Sequence, residues 1–441
     1  MPLMLTRICL SIMLFAAMPA WSQVEPSATG PPATETEMQT PPPVSGQSYP
    51  TATGSEERSN FLSGRFNLQV AYSDNVESGN GGKPVSDMIY TMGSSIALDQ
   101  TTPRSHRSFR YAPGFTLYEP TGTLNSLNQS ATTNYEYRLS PHAKLSLGDS
   151  FVQSSNVFEQ PQAGVSGSTE SPAAAVVAPF AEQLSNETNG QTTYQFSRSG
   201  MIGAGGTYSL VNYPNPAQAV GLANSNSYGG SGFYNRRLSK NQYMGVNYQY
   251  SKMTSSSEGI SSDTQMYTIY SFYTLYLDNA LSLSVSGGPQ HFNVSESSIP
   301  SSSAWTPAVN ASIGWQSSHT NFAASFSRTV NGAGGLLGAQ ESTAGNASAR
   351  WQATRTWTLG ASASYSILKS VTPLSPTASQ GGHALSGNVS VQHPIGQHFS
   401  AEAGYSRLHQ SYSGVAAVAA DPNGDREYIS ISYQFTRPMG R

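Results

Sequence analysis

The residues from which chemistry is first expected are the eight histidines, since a neutral imidazole serves as metal ligand or general base. A metal site needs two or three His, Asp or Glu side chains converging at close spacing. Only His393, His398 and His409 approach this: the first two flank the turn Pro394 to Gln397, and His409 stands near the far end of the same hairpin. Five of the eight (His106, His142, His319, His393 and His398) fall at expected turns, so they read as turn and rim residues. No spacing suggests the Ser/His or Asp/His set of a lipase, protease or acyltransferase. Gly203 to Gly206 and Gly332 to Gly335 lack the strand, turn and helix context and the lysine of a phosphate loop. Glycines there relieve crowding in a curved sheet or shape a loop. The expectation is a protein that is not an enzyme and uses no metal or cofactor.

Composition narrows the class further. Of 441 residues, 11% are charged, against about 25% in average soluble domains. With net charge −3 and 10% aromatics, the chain fits neither a disordered polymer nor a nucleic-acid binder. Its sole cysteine, Cys9, lies in a segment that reads as a cleaved leader. Residues 1–22 carry Arg7, the apolar run Ile8 to Ala17 and small residues at Ala20 and Ser22, the pattern of a secretory signal peptide. Residues 23–60, with Pro31, Pro32 and Pro41 to Pro43, read as a disordered periplasmic tail rich in Pro, Ser and Thr. Residues 61–441 form the folded unit.

That unit contains no apolar run long enough for a membrane helix. It shows period-2 alternation instead, the mark of strands with one apolar and one wet face. Phe66, Leu68, Val70 and Tyr72 alternate with Arg65, Asn67, Gln69 and Ala71. Leu359, Ala361, Ala363, Tyr365 and Ile367 alternate with Gly360, Ser362, Ser364 and Ser366. The pattern predicts an all-β fold: a transmembrane antiparallel up-and-down barrel of about 18 strands (16 to 18). Tight turns such as Ser140-Pro141, Ser239-Lys240, Asp278-Asn279, Ser318-His319 and Thr354-Arg355 follow even-numbered strands. Polar loops such as 74–85, 154–189, 253–263, 295–303, 331–341 and 412–424 follow odd-numbered ones. Short periplasmic turns and longer outer loops are the rhythm of an outer-membrane barrel.

Parity then assigns faces. Tyr72, Tyr118, Tyr135, Tyr243, Tyr276, Trp305, Trp315, Trp351, Trp357 and Tyr405 are expected in two interfacial girdles. Arg65, Arg110, Arg138, Lys144, Arg350 and Arg426 are expected to line the lumen with Asp87, Asp99, Glu136 and Glu402, because a basic group on the lipid face costs about 2–4 kcal/mol near midplane. Loop 154–189, with its apolar stretch Ser171 to Phe180, is expected to fold inward and narrow the pore, to pack across the mouth as a lid, or to lie as a mobile outer loop.

The last strand, Tyr428-Ile-Ser-Ile-Ser-Tyr-Gln-Phe435, resembles the C-terminal assembly signal of Gram-negative outer-membrane β-barrels, with Tyr428, Ile431, Tyr433 and Phe435 as its marks. Thr436 to Arg441 follow the aromatic at which that pattern usually stops. The first strand's ending Ala71-Tyr72-Ser73-Asp74-Asn75-Val76 resembles the opening of β-barrel porin-2-like proteins. The resemblance implies outer-membrane residence after export, contact with outer-membrane lipids and lipopolysaccharide, and handling by the barrel-assembly machinery. The leading functional expectation is a porin-like channel for passive diffusion of small solutes, with a mild anion preference. An export conduit for a surface polysaccharide or other polymer, and a structural or adhesive barrel with a plugged lumen, stand as alternatives. No nucleic acid is implied, and the oligomeric state is left open.

Overall fold

The computed structural model describes residues 59–76, 84–155, 182–257, 259–277, 280–296, 299–317, 319–331, 336–371, 381–413 and 423–439. The expected signal peptide, nearly all of the tail, Ser171 to Phe180, Asp278-Asn279, Ser318 and Gly332 to Gly335 lie outside these residues. Eighteen strands follow one another: β1 (Ser59–Ser73), β2 (Asp87–Thr101), β3 (Ser105–Tyr118), β4 (Ser126–Ser140), β5 (Ala143–Ser154), β6 (Gln183–Ser197), β7 (Gly200–Asn212), β8 (Asn224–Ser239) and β9 (Gln242–Ser257) make the first half. The second half is β10 (Ile260–Tyr276), β11 (Leu281–Glu296), β12 (Ile299–Gln316), β13 (Thr320–Asn331), β14 (Gln340–Gln352), β15 (Thr358–Ser370), β16 (Gly381–Ile395), β17 (Phe399–Ser413) and β18 (Asn423–Pro438). Each pairs antiparallel with its sequence neighbours, and β1 pairs with β18 from Phe61↔Pro438 to Ser73↔Arg426. The sheet therefore closes, and every strand has two neighbours.

Closure, an outer belt of apolar side chains and a polar inner wall make this an outer-membrane β-barrel. Phe66, Leu68, Val70 and Tyr72 are exposed on the outer face, while Ala71 and Ser73 are buried on the inner one. Tyr250, Tyr267, His291 and Trp305 form a continuous outer aromatic band across β9 to β12, with successive ring centroids 5.0, 6.3 and 4.7 Å apart. The girdle expectation needs correction at three positions. Tyr118, Tyr243 and Tyr276 point inward, and Tyr243 packs edge-on against Tyr276 beside Met201 and Phe233. The loop rhythm also breaks twice, since β9–β10 and β11–β12 are hairpins with two intervening residues. The polar segments expected as loops 253–263 and 295–303 continue as strand.

The seam depends on a matched pair. Gly64 lies opposite Phe435 in the β1–β18 register, and any Cβ on Gly64 would collide with the Phe435 ring. Ile429, Ile431, Tyr433 and Phe435 form the outer row of β18, with Tyr433 and Phe399 rings 5.1 Å apart. Tyr428, expected among the assembly marks, sits on the inner face and donates to Glu402 Oε1 at 2.9 Å, so Ile429 takes its place in the outer row. Gly64→Val forces the ring aside at a cost of roughly 1–3 kcal/mol. Both that variant and Phe435→Ser are expected to lower the yield of barrel that migrates heat-dependently on SDS gels, while secretion is unchanged.

Candidate functional site

The lumen has two unlike walls. From β7 to β12 the inner positions carry Ser, Thr, Asn, Gln, Gly, Ala, Met, Val and aromatic residues with Glu296 near the loop end of β11, and Arg237, beside the β8–β9 turn, is the only basic one among the described residues. Phe233 and Phe272 lie flat on this wall because Gly203 and Gly245 leave room where a Cβ would strike their rings. The basic groups climb the other wall across successive strands. Lys144 and Arg138 are register partners at the turn end of β5 and β4. Arg110 stands higher on β3, Arg65 near the middle of β1, and Arg426 near the loop end of β18. Arg65 Nη2 donates to Ser432 Oγ at 3.1 Å across the seam. Arg350, on β14, is an exposed inner-wall cation.

The acidic groups differ in what they do. Asp99 Oδ2 lies 3.7 Å from His106 Nε2, and Glu136 is the register partner of His106. Glu402 accepts from Tyr428 as described above. Asp87 faces inward but does not line the lumen: it is 2% exposed, and its carboxylate accepts the backbone N–H groups of Glu119 and Thr121 at 3.1 and 3.0 Å as well as the Thr121 hydroxyl. It ties the β3–β4 loop to β2. Arg426, at 4% exposed, is likewise packed into the wall instead of presented to the lumen. Glu187, Glu296 and Arg237 also face inward and were missed by the sequence reading, two acids and one base. Glu187 and Arg237 lie on strands whose outer faces are too polar to make parity plain, and Glu296 lies in a segment read as loop.

A hairpin narrows the bore. β12 and β13 stop pairing at Val309↔Arg328, whereas β13 and β14 stay paired to Asn331↔Gln340. Beyond that point the β13–β14 tip turns into the lumen. The Gln290 side chain, on the inner face of β11, brackets the backbone of Val330: it accepts from the N–H at 2.7 Å and donates to the C=O at 2.9 Å. Ser255 Oγ, on the inner face of β9, accepts from Gly338 N–H at 3.0 Å. Val330 and Ala339 pack with Met266, Phe292 and Val294 of the inner wall, and Leu336 and Leu337 are buried. The described residues of the tip, Val330 and 336–339, thus reach the wall from β9 to β11, held by apolar contact and by an amide that mimics a strand edge. The signal available in the sequence was Leu336-Leu337 between glycines, an apolar pair in a short loop.

Among the described residues the histidines lie apart from one another or in pairs. His383 and His409 lie on the outer face with ring centroids 5.4 Å apart, His393 stacks on Trp357 at 4.5 Å, and His398 bonds the Gln434 carbonyl at 3.1 Å. Among the described residues no three His, Cys, Asp or Glu side chains gather as a metal site would require.

No family model matches the sequence, and no curated protein matches it. Solved structures that resemble the barrel include the FrpB iron transporter of Neisseria meningitidis, at 10% identity and TM-score 0.42 over 86% of this chain and 82% of that one. OpdQ of Pseudomonas aeruginosa matches at 12% identity and TM-score 0.39 over 86% and 99%. OccAB4 of Acinetobacter baumannii matches at 10% identity and TM-score 0.41 over 85% and 98%.

Losing the Gln290 clamp removes two hydrogen bonds worth about 1 kcal/mol each. In protein carrying Leu337→Cys, the added Gln290→Ala is therefore expected to speed labelling by a water-soluble thiol reagent by roughly thirtyfold. Equal rates would show that the tip is held without the clamp.

Proposed function

We propose that the protein is an outer-membrane channel for passive diffusion of small hydrophilic solutes, with a weak preference for anions. The observation that carries this reading is the ascending row of Lys144, Arg138, Arg110 and Arg65 on one wall of a lumen narrowed by the β13–β14 tip. A barrel of this strand number is too wide to be filled by its own wall side chains. The row offers an anion successive partners along its path, while the opposite wall of hydroxyls and amides exchanges hydrogen bonds with a hydrated solute. Screening limits the selectivity: at about 0.15 M salt the Debye length is about 8 Å, so wall charges act strongly only where the bore is tight. The hairpin supplies that tightness; loop 154–189, for which the sequence left the same role open, lies mostly outside the described residues. The packing of Leu336 and Leu337 also supports a second reading, a barrel sealed at rest.

Planar-bilayer recordings of the refolded barrel separate the two. Stepwise conductance is expected, with a reversal potential displaced toward cations by Arg65→Gln with Arg350→Gln. Replacing Asn331 to Gln340 by a short glycine linker is expected to raise conductance and weaken selectivity together. A silent wild type with a conducting linker variant would establish the sealed form, and silence in both would refute the channel.

A further inference from the structure

The outer wall breaks its apolar rule in one region. Outward positions on β4 to β6 include Thr133, Asp149, Asn186, Thr188 and Thr192, flanked by Leu147 and Phe151. Asp149 is the seventh residue of the twelve-residue β5 and is exposed. At a rise of about 3.3 Å per residue and a tilt of about 40°, it stands roughly 15 Å above the turn, inside a hydrophobic belt about 25 Å tall. Its carboxylate accepts from Thr188 Oγ1 at 2.7 Å and lies 3.3 and 3.4 Å from Asn186 Nδ2, all neutral donors. Elsewhere on the outer face, Asp263 and Asp425 meet cations, Lys252 at 3.9 Å and Arg407 at 3.8 Å.

Beside this acceptor lie donors without acceptors. Tyr208 is the register partner of Thr188, and Tyr228 that of Tyr208. Both are exposed, and neither hydroxyl has a partner among the described residues. Between these tyrosines and Tyr194 and Tyr234 the wall is nearly bare, since Gly190, Gly206 and Gly230 are register neighbours. At the depth of Asp149 lipid tails supply no donors, and a periplasmic or extracellular protein cannot reach it.

We propose that a second copy of this chain covers the region, the two β4–β8 faces meeting about a two-fold axis. A two-fold contact joins a surface to itself. It sets the ridge of tyrosines on one copy into the bare strip of the other and brings tyrosine hydroxyls toward Asp149. Five strands spaced about 4.8 Å apart over a belt about 25 Å tall give roughly 500 Å² of projected wall per copy. With side-chain relief that approaches the roughly 800 Å² per partner of a stable interface.

The test uses the full chain folded in the outer membrane and then extracted in mild detergent. Wild type is expected to have twice the monomer mass by light scattering, and Gly206→Cys is expected to form a same-residue cross-link in intact membranes. Ala361→Cys, on the outer face of β15, is expected to form none. Asp149→Leu is expected to leave heat-dependent migration unchanged or improved, since it places an apolar group in lipid, yet to run as a monomer. A monomeric or trimeric wild type, cross-linking at Ala361→Cys equal to that at Gly206→Cys, or a dimeric Asp149→Leu would overturn the proposal.

Discussion

The whole structure follows from one constraint: inside a bilayer no water meets the backbone N–H and C=O groups, so a sheet can cross only if every strand has two partners. The β1–β18 seam satisfies that constraint, and its thirteen-residue register from Phe61↔Pro438 to Ser73↔Arg426 is as long as those within the sheet. Closure also dictates local chemistry. Curving the wall crowds its faces, and Gly64 beneath Phe435 or Gly203 beneath Phe233 gives large rings a place to lie.

Closure separates inside from outside, and parity does the rest. One residue of slip would exchange the faces and bring Arg65 and Arg110 into lipid. Register is therefore strongly specified wherever the outer row is apolar. The lumen hairpin uses the same logic in reverse. Once β13 leaves β12, the hairpin's backbone needs partners, and Gln290 supplies them at Val330 of β13 and Ser255 at Gly338 before β14. The apolar residues of the tip then cover Met266, Phe292 and Val294, which no water-filled bore would leave exposed.

How far the fold could be read from sequence tracks depth in the membrane. Strand order, direction and parity were legible because apolar and polar residues alternate wherever one face meets lipid, as in Leu359 to Ile367. Above the hydrocarbon layer that demand ends. The polar run at 253–257 has no alternation to betray it, so the tall β9–β10 hairpin was read as a loop. Site residues followed the same limit. Parity placed Arg65 and Glu136 on the inner face, but it could not tell that Asp87 would be consumed by the β3–β4 loop or that Arg426 would be buried. Those outcomes depend on contacts between segments distant in sequence. Length and an Ala/Val-rich stretch drew attention to loop 154–189, whereas insertion into the lumen at β13–β14 rests on a glutamine forty residues away in the chain.

Closure in this register is tested most directly by a disulfide across the seam. Asn67 and Ser432 are partners in the β1–β18 pairing. In the oxidising periplasm, Asn67→Cys with Ser432→Cys is expected to form an intramolecular cross-link in barrel isolated from outer membranes, detected as a thiol-sensitive change in the migration of heat-denatured protein. Asn67→Cys with Ile429→Cys, out of register and on the opposite face, is expected to form none. A cross-link in the second pair and not the first would contradict the closed barrel described here.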